Sequence, residues 1–306
     1  SALRVVGHEA EVVARLSWIM FGSAGLVLVL VVALLLYAIL RNPYRRAEIN
    51  GSRFIFAGGV ALPIVTLTVL LWYALTATRD LRADDVEPAV DIEVIGHRWW
   101  WEVRYLGETA DQHFTTANEL RLPIGVRSRI KVSSADVIHS WWVPSLAGKI
   151  DLIPGRENVI VVRPTREGIS RGQCAEFCGA QHARMALYLV VSKPQEFEAW
   201  RTRQSRPAAT PTNPTAIAGR DLFLDSACAY CHTIRGTRAG GRLGPDLTHV
   251  GSRLSIAAGT LPANRGNLAG WIVHAQQLKP DNLMPSFRAF TGEELRALTT
   301  YLEGLE

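Results

Sequence analysis

Residues 174–185 read Cys-Ala-Glu-Phe-Cys-Gly-Ala-Gln-His-Ala-Arg-Met. This run holds two thiols (Cys174 and Cys178), an imidazole (His182), a thioether (Met185) and a carboxylate (Glu176). Thiolate, imidazole and a weak thioether make the soft-to-borderline donor set that suits copper, whereas calcium and magnesium take oxygen ligands. Such a set wants a second imidazole, and His139 in His-Ser-Trp-Trp-Val-Pro is the best placed. Zinc is the chemical rival, but it would leave Met185 unused, and a pair of cysteines four apart is not by itself a zinc-ribbon pattern. A lone Cys or Met is usually core filling. Four soft donors at spacings of four, four and three are not.

A second chemical run follows at Cys228-Ala-Tyr-Cys231-His232. Cys-x-x-Cys-His is the attachment pattern for c-type haem: the two thiols form thioethers to the porphyrin and the adjacent His reaches the iron. Gly244-Pro245-Asp246-Leu247 and Leu283-Met284-Pro285 resemble the segments that, in class I cytochrome c domains, buttress that His and supply the distal Met. The resemblance implies His232 and Met284 as axial ligands, a pair that raises the potential and leaves no position open for oxygen. Lys279-Pro280 and Trp271 fit the same pattern. With two cysteines at each site, all four in the chain have a role and none is spare for a disulfide.

These groups need elements to hold them. No charged side chain occurs from Leu16 to Leu40 or from Phe54 to Thr78. As helices, runs of this length extend about 37 Å, enough to cross a hydrocarbon core of about 30 Å. The first is too long for the apolar part of a cleaved leader. The connecting loop carries Arg41, Arg45, Arg46 and Arg53 against Glu48, which predicts a cytoplasmic loop with both chain ends outside. Beyond the spans, period-two apolar runs such as Val90-Ile92-Val94 and Ile130-Val132 predict an antiparallel sandwich or barrel. Residues 201–214 are polar with three prolines and read as a linker. Thr291 with Glu294 predicts a capping box at the last helix. Five parts are expected: an outer segment 1–15, a transmembrane hairpin 16–78, a β domain 79–200, the linker, and an all-α haem domain 215–306.

The copper run and the stretch from His139 through Pro144-Ser145-Leu146 to Lys149, Asp151, Pro154, Gly155 and Arg156 resemble subunit II of cytochrome c oxidase. That resemblance implies a two-helix hairpin and a cupredoxin-like Greek-key barrel carrying dinuclear copper (CuA). By position the ligands are Cys174, Cys178, His139, His182, Met185 and the backbone carbonyl of Glu176. It also implies a Mg²⁺ held by the Glu176 side chain at the junction with subunit I. Gly96-His97-Arg98-Trp99-Trp100-Trp101 resembles the family's aromatic run, which makes Trp99 the point where electrons enter. In a strand, Trp99 and Trp101 would share one face. The family's channel glutamate, seven residues before a proline in the second span, is replaced by Phe56 before Pro63.

The resemblance implies an inner-membrane subunit with both redox domains on the periplasmic side. Its partners would be subunits I and III, the bilayer, and an outer donor such as a cytochrome c or an upstream respiratory complex. Electrons would pass through haem c and copper to the haems of subunit I, where oxygen is reduced and protons are translocated. The chain itself carries no acid–base or nucleophilic constellation. A formal charge of +5 spread thinly gives no nucleic-acid footprint. Two alternatives remain: the copper subunit of a nitric oxide reductase, and a free-standing membrane-tethered copper/haem carrier. His8, His97, His113, His249 and His274 read as structural or solvated, and Met20 as packing within a span.

Overall fold

The computed structural model describes residues 4–42, 44, 50–82, 87–107 and 109–306. Ser1–Ala10 with Glu87–Glu306 form one compact unit, and Glu11–Val86 form a second. Arg45, Arg46 and Glu48, on which the expected orientation partly rests, lie outside the described residues.

The apolar runs form helices α1 (His8–Leu40), α2 (Gly51–Phe56) and α3 (Leu62–Arg82), with a π-helical turn at Ala57–Ala61 between the last two. Asn50 starts α2 by accepting from the Arg53 amide at 3.1 Å. Pro63 has no N–H to donate, and the widened turn stands just before it. The expected spans lie inside these helices, although α1 begins at His8, within the segment expected to lie outside. Leu26, Val29, Leu67 and Trp72 are exposed, an apolar surface that a bilayer covers. Two helical segments, His8–Leu40 and Gly51–Arg79, are long and apolar enough to cross a membrane.

The β domain of the first unit is built from ten strands: β1 (Val90–His97), β2 (Trp100–Leu106), β3 (Phe114–Ala117), β4 (Glu119–Pro123), β5 (Ser128–Ser134), β6 (His139–Trp142), β7 (Ile150–Leu152), β8 (Asn158–Val162), β9 (Gly168–Cys174) and β10 (Ala186–Ser192), with the alternation of buried and half-buried residues clearest in β1, β2 and β5. They make two five-stranded sheets, ordered β3-β2-β1-β5-β8 and β4-β10-β9-β6-β7. Ile92, Val94, Trp101, Val103, Leu120, Ile130, Trp141 and Leu189 fill the space between the sheets. This is a cupredoxin-like β domain. The expected antiparallel pairing holds only in part, because β1 with β5 and β4 with β10 run parallel. Alternation reports which face is buried and says nothing about the direction of the partner strand.

Five helices follow: α4 (Pro194–Ser205), α5 (Pro214–Asp225), α6 (Cys228–Cys231), α7 (Arg265–Leu278) and α8 (Gly292–Glu303). Residues 201–205, read from sequence as the start of a linker, are the last turn of α4. Phe197 and Trp200 of α4 complete the β-domain core beside Tyr105 and Phe114. In the helical domain α5 crosses α8 so closely that a Cβ on Gly219 would stand 2.0 Å from the Ala297 carbonyl oxygen. The expected capping box of Thr291 and Glu294 starts α8.

The helical domain is seated on the β domain. The Leu254 amide donates to Glu119 Oε2 at 2.9 Å, and the Ala186 amide to the Ala258 carbonyl at 3.0 Å. The connection is held too: the Ala208 amide donates to Arg235 O at 3.0 Å, and His249 Nε2 lies 3.0 Å from Arg206 O.

Candidate metal centre and haem cavity

The end of β9 and the loop after it fold back so that their donors converge. Cys174 Sγ lies 3.7 Å from Cys178 Sγ, 3.9 Å from His139 Nδ1 and 3.1 Å from the Glu176 carbonyl oxygen. Cys178 Sγ lies 3.7 Å from His182 Nδ1 and 3.9 Å from Met185 Sδ. His139 arrives on β6, hydrogen-bonded to β7 and β9, so rigid sheet and loop together aim the donors. All six positions expected from sequence are therefore brought together, with Met185 and His139 fully buried.

His139 Nε2–H donates to Asp136 Oδ1 at 2.8 Å, which leaves Nδ1 to face the sulfurs. Burial works against protonation of His139, but the Cys174 sulfur and the Asp136 carboxylate outweigh it and raise its pKa. Hydrogen bonding to Cys178, helped by His139, holds the Cys174 thiol down at about 3. Cys178 is pushed up, because ionising it would place a second charge beside the first. A cation between the sulfurs removes that conflict. The donor chemistry, two sulfurs with an imidazole nitrogen aimed at each and a thioether beside them, fits copper. Gly96 makes room for it: a Cβ there would stand 2.8 Å from His139 Cδ2.

The Glu176 carboxylate lies 3.7 Å from Lys149 Nζ, with both side chains about half exposed.

The second site is a cavity of ≈ 480 Å³ that Cys228, Cys231, His232, Met284 and Trp271 help to line. His232 Nδ1–H donates to the Pro245 carbonyl at 2.8 Å and keeps Nε2 free for a metal. Burial lowers the His232 pKa, which favours the neutral form of the ring that a metal needs. Gly244 allows this packing, since a Cβ would come within 2.5 Å of the ring. Met284 lines the same cavity and its backbone is held: its amide donates to Asn282 Oδ1 at 2.8 Å, and its carbonyl accepts from Gln276 Nε2 at 2.8 Å. Arg253 also lines the cavity, and its Nε is buried without a partner. A buried cation with an unused donor in a mostly apolar slot suits haem, which brings carboxylates of its own.

Trp99 lies between the two sites. It is only 7% exposed, lines the haem cavity, and donates from Nε1 to the Cys178 carbonyl at 2.9 Å. Trp99 lies in the turn between β1 and β2 and not on a strand, so the alternation expected to pair it with Trp101 does not apply; Trp101 of β2 is fully buried and Trp100 stacks on His97 at 4.3 Å. Lys279, read from sequence only as part of a family pattern, is buried at the same junction, where desolvation pushes its pKa down to about 7. Asp136 had a faint signal three residues before His139. Arg253 had none, and the pattern that included Lys279 did not point to this junction, because its neighbours there are remote in sequence.

A family model described as "Cytochrome C oxidase subunit II, periplasmic domain" matches residues 104–192, and one described as "Cytochrome c" matches residues 216–306. Cytochrome c oxidase subunit 2 of Alkalihalophilus pseudofirmus is 33% identical over 292 residues, spanning 91% of this chain and 83% of its own. The Bacillus subtilis protein of the same description is 29% identical over 277 residues, spanning 85% and 76%. Among solved structures, the periplasmic domain of subunit II of cytochrome oxidase of Bradyrhizobium japonicum is 29% identical, covering 39% of this chain and 95% of that one, with a TM-score of 0.36.

Proposed function

The chain belongs to the cytochrome c oxidase subunit 2 family, and from that premise we propose that it is the subunit through which electrons enter a haem-copper oxidase, accepting them at its own haem domain. Membership makes it a subunit of an oxidoreductase that associates with subunit I, and copper and haem c are its cofactors.

The sulfurs of Cys174 and Cys178 would hold a pair of coppers, with the imidazoles of His139 and His182, the Met185 thioether and the Glu176 carbonyl as the remaining donors. Cys228 and Cys231 would hold the haem covalently, with His232 and Met284 as the donors available to its iron. When bound, these groups supply reversible one-electron chemistry with little change of geometry. The protein's part is to hold the donors still, keep water out and keep the two sites adjacent. With both groups bound, electrons from an outer donor would pass through the haem domain and the copper pair to the haems of subunit I, where oxygen reduction would be coupled to proton translocation. Trp99 is the handover point, with the fused domain in the place of a soluble donor. Subunit III and a Mg²⁺ on the Glu176 carboxylate complete the assembly.

Both redox domains lie on the outer, periplasmic side. Arg41 and Arg53 support this orientation. So does connectivity, because the chain leaves its first unit after Ala10 and rejoins it at Glu87, with both apolar helices between.

The observation that carries this reading is the indole of Trp99, which touches the copper loop and lines the haem cavity at once. The test is rapid reduction of the haem domain in the purified complex, followed optically. Oxidation of the haem with matching reduction of copper, then oxygen uptake, is expected. Nitric oxide turnover without oxygen turnover, or a haem that never equilibrates with copper, would refute it.

A further inference from the structure

Lys279 is among the largest fully buried side chains, at 2% exposure. It closes α7, its amide donating to the Ala275 carbonyl at 2.9 Å, five residues before Met284. Its Nζ lies 2.7 Å from the Trp99 carbonyl oxygen, 2.9 Å from that of Arg184 and 3.3 Å from that of Ala257. An ammonium has three N–H donors, and here each has an acceptor. The acceptors come from three segments: the turn between β1 and β2, the loop between His182 and Met185, and the haem domain itself. Arg184 returns the contact, its guanidinium donating to the Leu278 carbonyl. An apolar side chain of similar length would fill the same space but could not join these carbonyls.

We propose that Lys279 is a positioning residue for electron transfer, a clasp that fixes the haem domain against Trp99 and the copper loop. The clasp rests on the electron route proposed above. One electron leaves the haem iron and one arrives at the copper pair; Lys279 carries neither, and no bond is made or broken at it. Its effect is to hold one separation and one orientation between the sites, where segment 206–213 alone would leave a range of both.

The test uses Lys279→Met and Lys279→Gln in the full-length chain assembled in its oxidase. Haem and copper spectra serve as the loading control. Amide exchange at Ala186 and Leu254, whose N–H groups cross the same boundary, reports the clasp without involving any metal. In Lys279→Met, unchanged spectra are expected, with protection of both amides lost and haem-to-copper equilibration slowed by about tenfold or more. Lys279→Gln, which keeps two donors, recovers part of both. A Met variant that keeps full protection and full rate overturns the proposal. So does failure of both variants to incorporate haem, which would assign Lys279 to folding of its own domain. If exchange responds as expected while unsubstituted protein shows no haem-to-copper transfer, the clasp stands and the electron route fails.

Discussion

The indole N–H of Trp99 donates to the carbonyl oxygen of Cys178 at 2.9 Å, so a wall of the haem cavity is bonded directly to the backbone of a copper-loop cysteine. Gly179, which follows that cysteine, has a positive φ of 111° and packs against the same ring. Trp99→Phe keeps a ring in place but leaves the Cys178 carbonyl without its donor. We expect a stability loss of about 1–3 kcal/mol in denaturant unfolding. Copper EPR should persist, while electron equilibration between haem and copper slows. An unchanged rate would remove Trp99 from the path.

Asp136 orients His139 from outside the donor cluster. Asp136→Asn should free the ring to turn and weaken its basicity. Copper affinity, measured by competition with a chelator, should fall by about 10–100-fold. Equal affinity in the variant would show that β6 alone sets the ring.

Removing copper leaves two sulfurs 3.7 Å apart, with Cys174 held as thiolate because its pKa is about 3. A thiolate attacks disulfides, so oxidised glutathione should convert the pair to an internal disulfide. The cysteines would lose two electrons and two protons, and two glutathione thiols would be released. Because Cys174 is ionised throughout the neutral range, the rate should vary little between about pH 6 and 8. Mass spectrometry should show a loss of two hydrogens, and copper should not reload until the bond is reduced. Thiols that stay free, or a rate that climbs steeply with pH, would contradict the depressed Cys174 pKa.

The crossing of α5 and α8 depends on Gly219 having no side chain. Gly219→Ala should force the helices apart and destabilise the haem domain by about 1–3 kcal/mol. The unfolding midpoint of the haem domain should fall while copper loading stays intact. An unshifted midpoint would mean that α8 yields at no cost.

The chemistry was legible where donors are close in sequence. The spacing of Cys174, Cys178, His182 and Met185 and the run Cys228 to His232 could be read directly, and the structure gathers both sets. Alternation was expected to set Trp99 and Trp101 on one strand face, but Trp99 lies in the turn before β2, and the parallel pairing of β1 with β5 left no local mark. The end of α4 was hidden for a different reason. Phe197, Trp200 and Gln204 are buried at helical spacing after Pro194, yet the polar residues around the last of them read as linker. The domain junction was the least legible part, because Lys279 meets Trp99 across 180 residues of sequence and no periodicity spans that distance.

The central claim is that one polypeptide carries a sulfur-bridged copper pair beside one haem. It is tested most directly by metal analysis of the purified protein together with copper EPR of the wild type and Cys178→Ser. The account predicts two coppers and one haem iron per chain, one unpaired electron shared over both coppers, and loss of that shared signal in Cys178→Ser with the haem spectrum unchanged. Zinc in place of copper, no transition metal beyond iron, or a copper signal indifferent to Cys178→Ser would contradict it.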